Sequence, residues 1–112
     1  MTQNHRLFTI IETPIFSRLW PDYWDEDERG EFVTWLVSNP EAGDVIRHSG
    51  GCRKVRWSRR GTGKRGGVRV IHYNSLEDGV IYLLLIYAKN VRDSIDVDSL
   101  NKIRSSLNAQ DE

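Results

Sequence analysis

Lys54, Arg56 and Arg69 are the side chains best suited to chemistry in this sequence, and the chemistry they suit is that of phosphate. From Cys52 to Ser58 apolar and basic residues alternate, with Val55 and Trp57 to one side and Lys54 and Arg56 to the other. That is the period of a β-strand. Arg69 belongs to the next apolar run, Val68 to Tyr73. Guanidinium groups held on rigid strands can grip a phosphate through two N–H groups and stabilise the charge that develops when it is attacked. A lysine beside them can take part in proton transfer. The same pattern also fits a solvated outer strand face on which arginines lie flat, and alternation alone does not choose between the two.

These residues lie in a longer basic block. From Arg47 to Arg69 there are nine Lys and Arg residues and no Asp or Glu, although the 112-residue chain carries no net charge. Compensating acids precede the block: Asp22 to Asp44 holds eight Asp and Glu residues against Arg29 alone. The sequence therefore describes a dipolar molecule whose basic part suits a polyanion, most simply a nucleic-acid backbone. The alternative is that the acidic and basic segments pair with each other. Between the two basic strands, Arg59 to Gly67 is longer than the roughly two to five residues a hairpin requires. It is cationic and rich in glycine, so it can lie against phosphates, or it can be an ordinary long connection. Arg53, Arg59, Arg60, Lys64 and Arg65, with Arg92 further on, are the candidate nucleic-acid contacts.

Other chemistries fit less well. Gly61, Gly63 and Gly66 spell a dinucleotide fingerprint, but a strand is expected after them where that motif needs a helix. His5, His48, His72 and Cys52 have no metal-ligand spacing, so neither a metal nor a cofactor is expected. His72 reads as a core or edge histidine, and Trp57, in phase with Val55, as a core residue rather than a base-stacking one. No apolar run is long enough to span a bilayer, Met1 to Arg6 has no signal-peptide character, and Cys52 is the lone cysteine. These features point to a single domain over residues 1–112, away from the membrane, in the cytoplasm.

The elements that must position the basic residues follow from pattern. Leu7 to Ile11 suits a first strand, and Pro14 a short helix carrying Ile15, Phe16 and Leu19 that Pro21 ends. Asp25 and Glu28 form a capping box for a helix burying Phe32, Val33, Leu36 and Val37, stopped at Asn39-Pro40. Three strands follow: Cys52 to Ser58, Val68 to Tyr73 and Val80 to Tyr87. The last is apolar at nearly every position, so both its faces should be covered and it should lie inside the sheet. Ser75 to Gly79 is a hairpin turn. A last helix begins near Asp96, with Ile95 and Leu100 as a staple and Val97, Leu100, Ile103 and Leu107 as its stripe. The expected class is α+β, a small twisted antiparallel sheet with two N-terminal helices and one C-terminal helix, the helices packed on one face.

The run Asn39 to Ile46, Gly50-Gly51, Arg53 to Arg56, Gly63 to Ile71 and the strand ending Leu85 to Asn90 resembles the RelE/HigB superfamily of bacterial toxins. The similarity is nearest to its HigB-type branch and spans roughly Leu7 to Leu107. It implies a type II toxin–antitoxin toxin: a metal-free endoribonuclease that enters the ribosome and cuts mRNA, the RNA's own 2′-hydroxyl attacking the adjacent phosphate. The implied partners are the ribosome with its mRNA and a cognate antitoxin of the helix-turn-helix DNA-binding kind. Carried over by position, Lys54 and Arg56 match the paired basic residues of the second strand, Arg69 the transition-state arginine, and Lys89 a basic residue after the last strand. Asn90 and Asp96 depart from the family's arginine and tyrosine. That leaves the acid–base role open among Lys89, Arg92 and Tyr87, with a non-catalytic RNA- or ribosome-binding module, a decayed toxin, as the alternative.

Overall fold

The computed structural model describes residues 8–58, 67–88 and 96–110, the last three as backbone. Chain order is β1 (Thr9–Glu12), α1 (Pro14–Leu19), a 3-10 turn (Trp20–Asp22), α2 (Glu26–Ser38), β2 (Asp44–Val45), β3 (Arg53–Trp57), β4 (Val68–Ser75), β5 (Val80–Ala88) and α3 (Val97–Gln110). The α+β class is as the sequence implies.

Local signals account for the helix starts. Thr13 caps α1 by accepting from the Phe16 N–H at 3.1 Å, and Pro14 occupies the first turn, where its missing N–H costs nothing. Asp25 and Glu28 close a reciprocal capping box: the Glu28 N–H donates to Asp25 Oδ1 at 2.8 Å and the Asp25 N–H to Glu28 Oε1 at 3.0 Å. Asp96 begins α3, accepting from the Asp98 N–H and the Ser99 hydroxyl, each at 3.1 Å. Ile95, the expected staple partner, lies outside the described residues, as does Leu7.

The five strands form one sheet in the order β1-β5-β4-β3-β2. The pairs β5-β4, β4-β3 and β3-β2 are antiparallel, while β1 adds to β5 in parallel, so the expected antiparallel sheet carries one parallel edge strand. The two-residue β2 was not foreseen, because so short an element carries no period. A bulge interrupts the β4-β5 ladder: Ile71 faces Leu85 and His72 faces Leu83, leaving Leu84 without an opposite residue.

Both faces of the sheet are covered, and this corrects the expectation that all helices share one. Phe16, Trp24, Phe32 and Leu36 of the N-terminal helices and their connection pack with Val55, Val68, Val70, Ile81, Leu83 and Ile86. Leu100 and Leu107 of α3, with half-buried Ile103, pack with Cys52, Ile71, Tyr82 and Leu84. Alternation along β4 and β5 puts these two sets on opposite sides. The physical reason was present in β5, whose apolar residues on both sides need two covers, each fully buried large side chain stabilising by about 1.5–3 kcal/mol. Trp57 joins the first core, its ring centroid 5.1 Å from Phe32 and 5.1 Å from Trp35.

Candidate functional site

The β3-β4-β5 register assembles the site. Arg56 lies directly opposite Arg69, and Arg69 directly opposite Tyr87. Opposed residues on antiparallel strands point to one face, so Arg56, Arg69 and Tyr87 form a row across three strands, on the same face as α3. Lys54 stands two residues before Arg56 on the same face. Arg56 is exposed, Lys54 half-buried, and Arg69 retains 9 % of its surface. Like charges directly opposite one another on a sheet are destabilising. An anion bridging Arg56 and Arg69 would relieve that repulsion and meet two guanidinium forks at once.

The sheet end nearest this row is where β3 finishes at Trp57, β4 begins at Val68 and β5 finishes at Ala88, Val68 being opposite both. Gly67 brings the chain into β4 at φ 56°, where an added Cβ would run into the Trp57 carbonyl oxygen. The expected loop contacts Arg59, Arg60, Lys64 and Arg65, together with Lys89 and Arg92, lie outside the described residues.

Arg53 is placed differently. It is opposite His72 on the α1–α2 face, and its Nη1 donates to the Glu41 carbonyl at 2.8 Å and the Gly43 carbonyl at 3.0 Å. Sequence alternation separates Arg53 from Lys54 and Arg56, and the structure gives it a loop to hold instead of the shared row.

His72 is a fully buried neighbour of Arg53. Its Nδ1 lies 2.8 Å from Asn74 Oδ1 and its Nε2 3.1 Å from the Ala42 carbonyl oxygen. Asn74 Nδ2 donates to the Pro40 carbonyl, which turns Oδ1 toward the imidazole. Both ring nitrogens therefore face acceptors, while a neutral imidazole has one N–H. Burial pushes the His72 pKa below its ordinary value, opposed by the contacts with Asn74 and Ala42 and assisted by the Arg53 charge. Burial likewise raises the Cys52 thiol, which is consistent with a packing role.

Two site features were not legible beforehand. Tyr87 was one of several candidate acid–base groups, and register now sets it beside Arg69. Asp44, last of the acidic segment, is directly opposite Lys54 across β2-β3, although the basic block itself contains no carboxylate. Its signal would have been the β2 strand. Asp96, at the other departure from the family pattern, is engaged in capping α3. Among the described residues no cluster of three or more His, Cys, Asp and Glu could hold a metal, and no helix is long and apolar enough to cross a membrane.

No family model matches the chain. It is similar to the solved structure of the E. coli toxin RelE, a double arginine-to-alanine variant in the free state, with a TM-score of 0.60. The match covers 88 % of this chain and 97 % of that one at 13 % sequence identity, so the likeness shows a RelE-like fold.

Proposed function

We propose that this protein is the toxin of a type II toxin–antitoxin system, of the HigB-type branch, and cuts mRNA on the ribosome. The observation that carries the reading is the Arg56–Arg69–Tyr87 row with Lys54 beside it, on one face of a RelE-like sheet. In this reaction the RNA 2′-oxygen gives up its proton and bonds to the adjacent phosphorus. The bond from phosphorus to the 5′-oxygen breaks, that oxygen takes a proton, and a cyclic phosphate remains. Arg69 and Arg56 stabilise the charge on the non-bridging oxygens. Lys54, with Lys89 and Tyr87, supplies the groups that move protons. Arg59, Arg60, Lys64, Arg65 and Arg92 hold the RNA backbone, and the salt dependence of binding should count those contacts. The cognate antitoxin, a helix-turn-helix DNA-binding protein, silences the toxin by covering this basic face, and the complex resides in the cytoplasm.

The deciding experiment is expression of the wild type and of a Lys54→Ala/Arg56→Ala/Arg69→Ala variant, with growth and the integrity of translated mRNA as readouts. Growth arrest and mRNA cleavage by the wild type alone, with both proteins equally folded, support the reading. Ribosome binding by the wild type without any cleavage would replace it with the decayed, non-catalytic module, the reading that Asp96's capping role favours.

A further inference from the structure

Among the described residues, the acidic segment ends where β2 pairs with the basic strand β3. We propose that Asp44 is a positioning residue for Lys54: its negative charge, on the neighbouring strand and the same face, favours the lysine ammonium staying over the sheet beside the Arg56–Arg69 row. This rests on the mRNA-cleaving reading above.

Three observations fix where Asp44 stands. Its Cα is paired with that of Lys54, so both side chains leave the sheet on one face. The loop leading into it is held by each of its four carbonyls. Pro40 O accepts from Asn74 Nδ2, Glu41 O and Gly43 O from Arg53 Nη1, and Ala42 O lies against His72 Nε2. Gly43, at φ 93°, lays the chain so close to β3 that an added Cβ would stand 2.5 Å from the Lys54 carbonyl oxygen. The backbone immediately before Asp44 is thus fixed against the backbone of Lys54 by groups from β3 and β4.

Stability alone gives little reason for the pair. Asp44 is exposed, and opposite charges across a sheet or at a surface contribute at most about 1 kcal/mol. Among the described residues no ion pair joins Asp44 to Lys54. The carboxylate therefore acts as a nearby charge and not through a formed ion pair. Among the described strand residues, the charged groups beside Lys54 on this face are Asp44 on β2, Arg56 on β3 and, diagonally, Arg69 on β4, with Ile71 directly opposite. Without Asp44, repulsion by the two arginines drives the lysine toward solvent. With it, the local balance of charge favours the ammonium on the side of the row, where the scissile phosphate arrives.

The role has a kinetic signature. A negative charge beside a polyanion site weakens binding, so removing it cannot raise KM if its work is positioning. Asp44→Asn, assayed on ribosomes programmed with a defined mRNA, should lower kcat about tenfold with KM unchanged or lower. Asp44→Glu should recover most of the rate, and both variants should keep the wild-type thermal midpoint. A kcat for Asp44→Asn within about twofold of wild type overturns the inference, as does a loss of rate that tracks a lower midpoint or a raised KM. Wild-type protein that leaves the mRNA intact defeats the cleavage reading itself and takes this inference with it. A normal wild type with an indifferent Asp44→Asn defeats the inference alone.

Discussion

Arg53 and Arg56 stand three residues apart on one short strand and meet opposite fates. On the α1–α2 face, Arg53 turns its guanidinium onto two loop carbonyls, beside a buried histidine that contacts two acceptors. On the α3 face, Arg56 meets a second arginine head-on. The first arrangement ties a cation to the loop it faces; the second sets two cations side by side, an arrangement that suits a bridging anion. A block of basic residues that reads as one feature in the sequence is divided by strand parity into a part that builds the fold and a part suited to phosphate.

The sharpest way to break this comparison is to remove one arginine from each face. Arg69→Ala should lower cleavage by about 10²–10³-fold, the usual effect of deleting a group that stabilises transition-state charge. Arg53→Ala should instead destabilise the protein by about 1.5–3 kcal/mol, the range for hydrogen bonds made by charged groups. Any fall in its rate should be far smaller than that of Arg69→Ala, since the Arg53 guanidinium holds the 40–43 loop on the other face of the sheet. Chemical denaturation and single-turnover cleavage on programmed ribosomes give both numbers. Equal losses of rate in the two variants would dissolve the distinction between the faces.

A smaller effect belongs to His72 alone. Its pKa is lowered in the folded protein, so the fold prefers the neutral imidazole. The unfolded chain takes up the proton at the ordinary value of 6.5, and below it the unfolded state binds more protons than the native one. His72 therefore contributes stability that is fully present above that value and is lost as pH falls below it. Denaturation midpoints measured at falling pH should decline over this range and decline less in a His72→Gln variant. A wild-type midpoint that rises on mild acidification would mean that the two acceptors hold the imidazolium instead.

Much of this division could be read from the sequence, and the missing parts have physical causes. Alternation from Cys52 to Ser58 already sets Lys54 and Arg56 apart from Val55 and Trp57, while Arg53, expected among the nucleic-acid contacts, lies on the opposite face from them. The capping box placed α2, and the apolar run of β5 called for cover on both sides. An amphipathic stripe shows that α3 is buried along one side without saying against which face of the sheet it lies. Which residue faces which depends on strand register, of β3 on β4 for Arg56 and Arg69 and of β4 on β5 for Arg69 and Tyr87, and register has no one-residue signature. Asp44 was hidden for a related reason. Two residues of β2 show no period, yet pairing them with Arg53 and Lys54 carries the acidic segment to the edge of the basic one.

The smallest effect is also the most diagnostic in sign. Arg56 is exposed and directly opposite Arg69, and like-charged cross-strand neighbours oppose folding by about 0.2–1 kcal/mol. Arg56→Ala should therefore leave the thermal midpoint unchanged or slightly higher at low salt, while cleavage falls. Added salt should erase the gain, because screening weakens the repulsion in the wild type to begin with. Arg53→Ala, three residues away on the opposite face, should lower the midpoint at every salt concentration, since what it loses is a pair of hydrogen bonds. If Arg56→Ala destabilises the protein as Arg53→Ala does, then Arg56 too is held by the fold, and the site must be sought around Lys54 and Arg69 without it.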